Sequence, residues 1–224
     1  MLALLKKNDR LGTSLFLMFC TLFCVALLYA RMHIAHNKSF VLLYWNLFLA
    51  IVPWLLTSLM MMSPVMRNSK IVLLLFLVVW LLFFPNSPYI FTDLIHLKKR
   101  VGVPLWFDLL LILSYAWTGL LFGFVSLQDI HRLLYENASK WLSDGIIVFL
   151  LFLGSAGIFL GRFLRWNSWD VIHRPKGIAH ELSDRIFNPE DYLPMWLFTL
   201  VMGVLLNMMY WSVSFMKRDK ELVV

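Results

Sequence analysis

Between Asn86 and His96 the chain places an amide, a hydroxyl, a phenol, a carboxylate and an imidazole within eleven residues. Asp93 and His96 are three positions apart, so on a helix their side chains can meet. In a partly desolvated place such a pair can act as general base and orienter, or relay a proton. The plainer role is an interfacial ion pair or a hydrogen bond between helices. A second constellation follows later. Arg162 and Arg165 are also three apart, and Trp166, Asn167, Trp169 and Asp170 come directly after them. Guanidinium groups grip carboxylate and phosphate in a bidentate manner. The plainer role here is a basic helix end that complements the dipole, beside an aromatic belt, with Asp170 neutralising one arginine. Asp93 and His96 are therefore the candidate acid–base pair. Asn86, Tyr89, Arg162, Arg165, Asn167 and Asp170 are the candidate ligand contacts.

A metal site would need more. Asp93, His96, Asp170 and His173 could supply two Asp-x-x-His pairs to one divalent ion. No HExxH or paired-cysteine pattern accompanies them, and no metal is assigned. His33 and His36 read as interfacial side chains. Nothing in the chain names a cofactor, for it has no Walker motif, nucleophile elbow or dinucleotide fingerprint.

The elements that must hold these groups are membrane spans. The chain has 224 residues, of which 61% are hydrophobic and 15% charged, and its mean hydropathy is +0.76. Those values belong to an integral membrane protein and leave no room for a separate soluble domain. Six runs reach the roughly 20 residues a spanning helix needs: 11–32, 40–62, 64–84, 106–127, 142–165 and 193–216. The expected architecture is all-α, a single polytopic transmembrane bundle. The first run is too long for a signal peptide and lacks a small-x-small cleavage pattern. Cys20 and Cys24 lie one turn apart within it and read as small buried side chains rather than a disulfide. Asn46 and Asn207, inside spans, are expected to hydrogen-bond between helices. Asp108 suits a helix N-terminus. Gly157 and Gly161 form a G-x-x-x-G pair that favours close helix packing.

The third span is the irregular one. Its uninterrupted apolar part, 71–84, is followed by Pro85. Either the helix begins near Pro64, with Arg67 and Lys70 snorkelling, or it stops early and Pro85 lies at depth. Ser87-Pro88 predicts a new helix, capped by the hydroxyl, over about 88–97. On an α-helix Tyr89, Thr92, Asp93 and His96 would share one polar face. The element suits an interfacial or re-entrant position. Lys98, Lys99 and Arg100 follow it, where anionic headgroups favour cations. A further short amphipathic helix is expected within 171–192, with Ile178, Leu182 and Ile186 on one side.

The formal net charge is +7. The twenty basic residues divide ten to each face of a six-span topology, so the positive-inside rule does not choose an orientation. Lys6, Lys7 and Arg10 before the first span favour termini on the inner side. The basic residues are spread through every loop, which argues against nucleic-acid binding. Two spans separate the Asp93 and Arg162 segments, so parity puts both on one side of the bilayer. A partial echo, Asn86-Ser87 with Asp93-Leu94-Ile95-His96 against Asn167-Ser168 with Asp170-Val171-Ile172-His173, would fit an internal repeat.

Pro85-Asn86-Ser87-Pro88-Tyr89, Thr92-Asp93 and His96-Leu97, followed by Gly161-Arg162-Phe163-Leu164-Arg165-Trp166-Asn167-Ser168-Trp169-Asp170, resemble the bacterial membrane family called domain of unknown function 1361. The resemblance runs from about the second span to the last. It implies a multi-pass protein of a bacterial cell membrane, and it brings no activity. The expectation for function is a protein that binds or transports an anionic or lipid-linked small molecule among membrane lipids. The alternatives are a membrane enzyme using Asp93 and His96 on a lipid substrate, or a structural or accessory subunit. The residues leave the oligomeric state open.

Overall fold

A computed structural model of the chain describes residues 10–63, 69–99, 102–166, 168 and 170–221. Among these the structure is helical, with no strand. Six helical segments are long and apolar enough to cross a membrane. The long helices are α1 (Leu11–Ala35), α2 (Leu42–Met62) and α3 (Lys70–Phe83). The four-residue α4 (Asn86–Tyr89) and a 3-10 helix (Ile90–His96) continue the third segment. Then come α5 (Leu105–Asn137), α6 (Lys140–Phe163), α7 (Asp170–His173), α8 (Pro175–Phe187), a 3-10 turn (Pro189–Tyr192) and α9 (Leu193–Glu221). The chain divides into two compact units, the first ending at Ile130 and the second beginning at His131.

The apolar runs became helices because only a helix satisfies its own backbone in lipid. Their outer faces carry what lipid accepts: on α1, Phe16, Phe19 and Leu22 are more than half exposed. α5 runs ten residues past its expected end. The hydropathic run ends at Leu127, but an apolar stripe continues through Ile130 and Leu133, both buried, at helical spacing.

In the first unit, Cys24 and Leu28 of α1, Leu43, Leu47 and Ala50 of α2, Ile90, and Leu111, Ile112, Tyr115 and Ala116 of α5 form one core. α1 and α5 run antiparallel, and two ion pairs fix their register. Arg10 pairs with Asp129 at one end. At the other, Arg31 Nε donates to Asp108 Oδ1 at 3.0 Å, with both side chains buried. Arg10 and Arg31 are 21 residues apart, as are Asp108 and Asp129. Between the pairs, Cys24 Sγ lies 3.2 Å from Thr118 Oγ1. Cys20 and Cys24 are free thiols, Cys24 fully buried.

In the second unit α9 packs along α6. Gly203 permits the approach: a Cβ there would lie 2.2 Å from the Phe152 ring. Ser155 Oγ donates to the Thr199 carbonyl at 2.7 Å, and Phe159, Phe163 and Phe198 form an aromatic cluster. Asn207, expected to bridge helices, instead donates to the Gly203 carbonyl of its own helix at 2.8 Å. An amide one turn from a carbonyl finds that local acceptor first. α8 is the expected amphipathic helix with one change: Ile186 is exposed and Arg185 is buried. At about 100° per residue, the seventh position after Ile178 returns to its face and the eighth overshoots it.

Candidate functional site

The third span is discontinuous. α3 has 14 residues, roughly 21 Å of helix, and is N-capped by Ser69, whose Oγ accepts from Val72 N–H. Residues 64–68, where an earlier start was one of two expectations, lie outside the described residues. Pro85 cannot continue the helical ladder because it lacks an N–H and its ring crowds the preceding turn. The break is repaired locally. Asn86 Nδ2 donates to the Phe83 carbonyl at 2.9 Å, and Ser87 N–H to that of Phe84 at 3.1 Å.

The Ser87 hydroxyl does not cap a helix beginning at Pro88, as the Ser-Pro signal suggested. α4 already includes Asn86, and Ser87 Oγ donates across to the Ala50 carbonyl of α2 at 2.9 Å. α5 admits this contact with two glycines. A Cβ at Gly119 would lie 2.6 Å from the Ser87 carbonyl, and one at Gly123 would lie 2.8 Å from Ser87 Cβ. Gly119 and Gly123 are a G-x-x-x-G pair, the same signal as Gly157 and Gly161, and sequence reasoning passed over it.

The single polar face expected from Tyr89 to His96 is also corrected. Residues 90–96 wind as a 3-10 helix, in which positions three apart eclipse. Tyr89 and Thr92 fall on one line, with Thr92 Oγ1 donating to the Tyr89 carbonyl at 2.6 Å. Ile90, Asp93 and His96 fall on another. Burial follows depth rather than face. Ser87, Pro88, Ile90, Thr92 and Asp93 are buried, whereas Ile95, His96, Lys98 and Lys99 lie toward the exposed end. The segment thus emerges from the first unit over a few residues. Asp93 is 8% exposed, and its Oδ2 accepts from Asn46 Nδ2 of α2 at 3.0 Å. The expectation that Asn46 bonds between helices is met. Of the first-unit candidates, Asn86, Tyr89, Asp93 and His96 share this segment, and Asn46 is the added member.

A more deeply buried charge escaped notice. Arg31 is 0% exposed and Asp108 1%. Besides Asp108, the Arg31 guanidinium donates to Asn37 Oδ1 and lies over the Phe40 ring, 5.1 Å from its centroid. Multiple hydrogen bonds are what make a buried ion pair tolerable.

In the second unit α6 stops at Phe163, two residues before the expected end. Arg162 is half-buried within its last turn. Arg165 follows in the left-handed region (φ 59°) and is exposed. Trp166 N–H reaches back to the Leu160 carbonyl at 3.1 Å, so the two arginines do not sit on one continuous helical face. Trp166 Nε1 donates to Glu181 of α8. Asp170 opens α7, and its carbonyl accepts from Arg174 N–H at 2.7 Å. Asn167 lies outside the described residues. At the end of α8, ahead of the last long helix, the Tyr192 hydroxyl and then the Asn188 amide donate to Asp184, holding its carboxyl below the usual range. Among the described residues, no group of three or more His, Cys, Asp or Glu side chains converges as metal ligands would.

No curated protein and no solved structure matches the chain. One family model does, over residues 45–209, from the second span almost to the end of the last. With that match over most of its length and six apolar helices, this multi-pass membrane chain belongs to the family described as protein of unknown function (DUF1361).

Proposed function

We propose that this protein binds an anionic or lipid-linked ligand at a polar site and that Asp93 handles a proton there. The supporting observation is the broken third span, which carries the buried Asp93–Asn46 contact into the first unit. Irregular backbone and ionisable groups within a membrane protein are tolerated where protein or water shields them. Discontinuous spans of this kind line ligand sites in transporters. A carboxyl group bonded to an amide keeps a partner in either protonation state, because the amide can donate to the carboxylate or accept from the acid. His96, one 3-10 turn further on, offers a step toward the surface. Lys98 and Lys99 beyond it suit an anionic headgroup. Asn86 and Tyr89 would orient the ligand. Separately, in the second unit, Arg162 and Arg165 would suit an anion by their guanidinium chemistry, with Asn167 and Asp170 following them in the sequence as further candidates. A bacterial cell membrane with both termini inside completes the reading, on the basic residues before the first span.

The test is native mass spectrometry of the purified protein for retained anionic lipid, followed by binding of that lipid across pH to Asp93→Asn and Arg165→Ala variants. Asp93→Asn should alter the pH dependence while leaving binding measurable, and Arg165→Ala should weaken binding. Loss of turnover of a lipid substrate in Asp93→Asn, with binding intact, would favour the enzyme alternative. No retained anionic lipid, with both variants changing stability alone, would overturn the proposal in favour of an accessory subunit.

A further inference from the structure

A separate polar cluster closes one end of the second unit. His131, 7% exposed, lies near the end of α5. Its Nε2 is 2.9 Å from Asp144 Oδ1 of α6, and its Nδ1 is 2.9 Å from the Tyr210 hydroxyl of α9. The ring touches Tyr135 on its own helix, with centroids 4.3 Å apart, and meets the edge of Trp211 at 5.7 Å. The Tyr135 hydroxyl donates to the same Asp144 oxygen. One imidazole therefore joins three helices.

The hydrogen-bond chemistry determines the proton positions. A carboxylate only accepts, so Nε2 carries a hydrogen toward Asp144. In neutral imidazole Nδ1 is then an acceptor, and the Tyr210 hydroxyl donates to it. We propose that His131 is a proton-binding site that couples the protonation state at this edge of the second unit to the seating of α9. A proton from solvent adds to Nδ1. The Asp144 contact becomes a charge-assisted pair, which is the stronger kind. The Tyr210 bond reverses, because Nδ1–H now donates and the phenol oxygen must accept. Tyr210 is 0% exposed, so its hydroxyl reorients inside the protein. That burial also argues against Tyr210 as a nucleophile, since no substrate reaches it in this arrangement. Asp144, whose side chain is 27% exposed, is the solvent-facing partner of the ring.

Among the described residues, the titratable groups facing the ring are Asp144 from α6, Tyr210 from α9 and Tyr135 from α5. The nearby Arg132 and Glu136 are exposed and pair with each other at 3.7 Å. The ring is thus flanked by one carboxylate and two phenols, and protonation meets a favourable charge. Histidine is the side chain that ordinarily changes charge in the neutral range.

Trp211 supplies the readout, since an imidazolium beside an indole quenches its emission. The protein in lipid nanodiscs, titrated between about pH 5 and 8, should show one emission step. The step should vanish in Trp211→Phe and in His131→Gln, which keeps hydrogen bonding without titrating. Asp144→Asn removes the charge that favours the imidazolium and should shrink the step within this window. Histidine-selective NMR of the wild-type protein gives the same midpoint if a variant does not fold. A flat wild-type titration, a step that survives His131→Gln, or a full-size step in Asp144→Asn would each overturn the assignment.

Discussion

The first unit spreads its described polar contacts through the depth of its helices, while the second gathers most of its own at the helix ends. In the first, Arg10–Asp129, Cys24–Thr118, Ser87–Ala50, Asn46–Asp93 and Arg31–Asp108 succeed one another, and Trp80 Nε1 donates to Ser126 Oγ at 3.2 Å. In the second, α6 and α9 meet through Phe152 at Gly203 and the Phe159, Phe163 and Phe198 rings, with Ser155–Thr199 as the interior bond. The His131 cluster lies near one end. An apolar contact tolerates small slips, whereas a buried ion pair or hydrogen bond that loses its partner carries a large cost. The first unit is therefore built to hold one register, including the awkward one imposed by a broken span. The second holds its register at its ends, while its largely apolar middle tolerates small slips.

The largest test of that contrast is Arg31→Met, which leaves the Asp108 carboxylate buried and unpaired. It should cost about 3–5 kcal/mol in thermal or denaturant unfolding of the protein in detergent. The double variant Arg31→Met/Asp108→Leu should recover most of the loss, because an apolar pair carries no uncompensated charge. If the single variant melts like the double, the polar register of the first unit matters less than argued. Next comes Gly119→Ala, whose Cβ would press on the Ser87 backbone, and its cost should fall toward the upper end of about 1–3 kcal/mol for overpacking. Gly203→Ala meets the half-buried Phe152 side chain, which can swing toward lipid, so it should fall toward the lower end of about 1–3 kcal/mol. The reverse order in melting temperature would break the comparison. The smallest effect belongs to Asp184. Its carboxyl is held low by Tyr192 and then Asn188. A depressed folded value stabilises above the unfolded carboxylate range and is lost as pH falls through the folded value. A small melting difference between wild type and Asp184→Asn should thus be present at neutral pH and fade in acid. A difference that grows in acid would contradict the sign.

The six spans were legible because hydropathy reports what lipid demands, and Pro85 marked the break without ambiguity. The conformation after the break was not legible. Residues 90–96 read equally well at 100° or 120° per residue, and they wind as a 3-10 helix. Gly119 and Gly123 carried a signal as clear as that of Gly157 and Gly161. Asn46 was recognisable as a bridging amide, but its partner Asp93 is 47 positions away. The same distance problem hid Arg31–Asp108, 77 apart, and His131–Tyr210, 79 apart. Residues that looked like ordinary edge charges turned out to be interior ones, because the pairing that makes burial tolerable is set by helix register.

The equal spacing of the two Arg–Asp pairs along α1 and α5 has a consequence for the surrounding lipid. Twenty-one residues of helix measure about 31 Å, close to the hydrocarbon thickness of an average bilayer, about 30 Å. These paired charges work as a gauge of fixed length, and the helices cannot slide past each other to shorten it without separating both pairs. Such a protein answers a thinner or thicker bilayer by tilting or by deforming the lipid around it. Its stability in vesicles should peak at the acyl-chain length that matches the gauge.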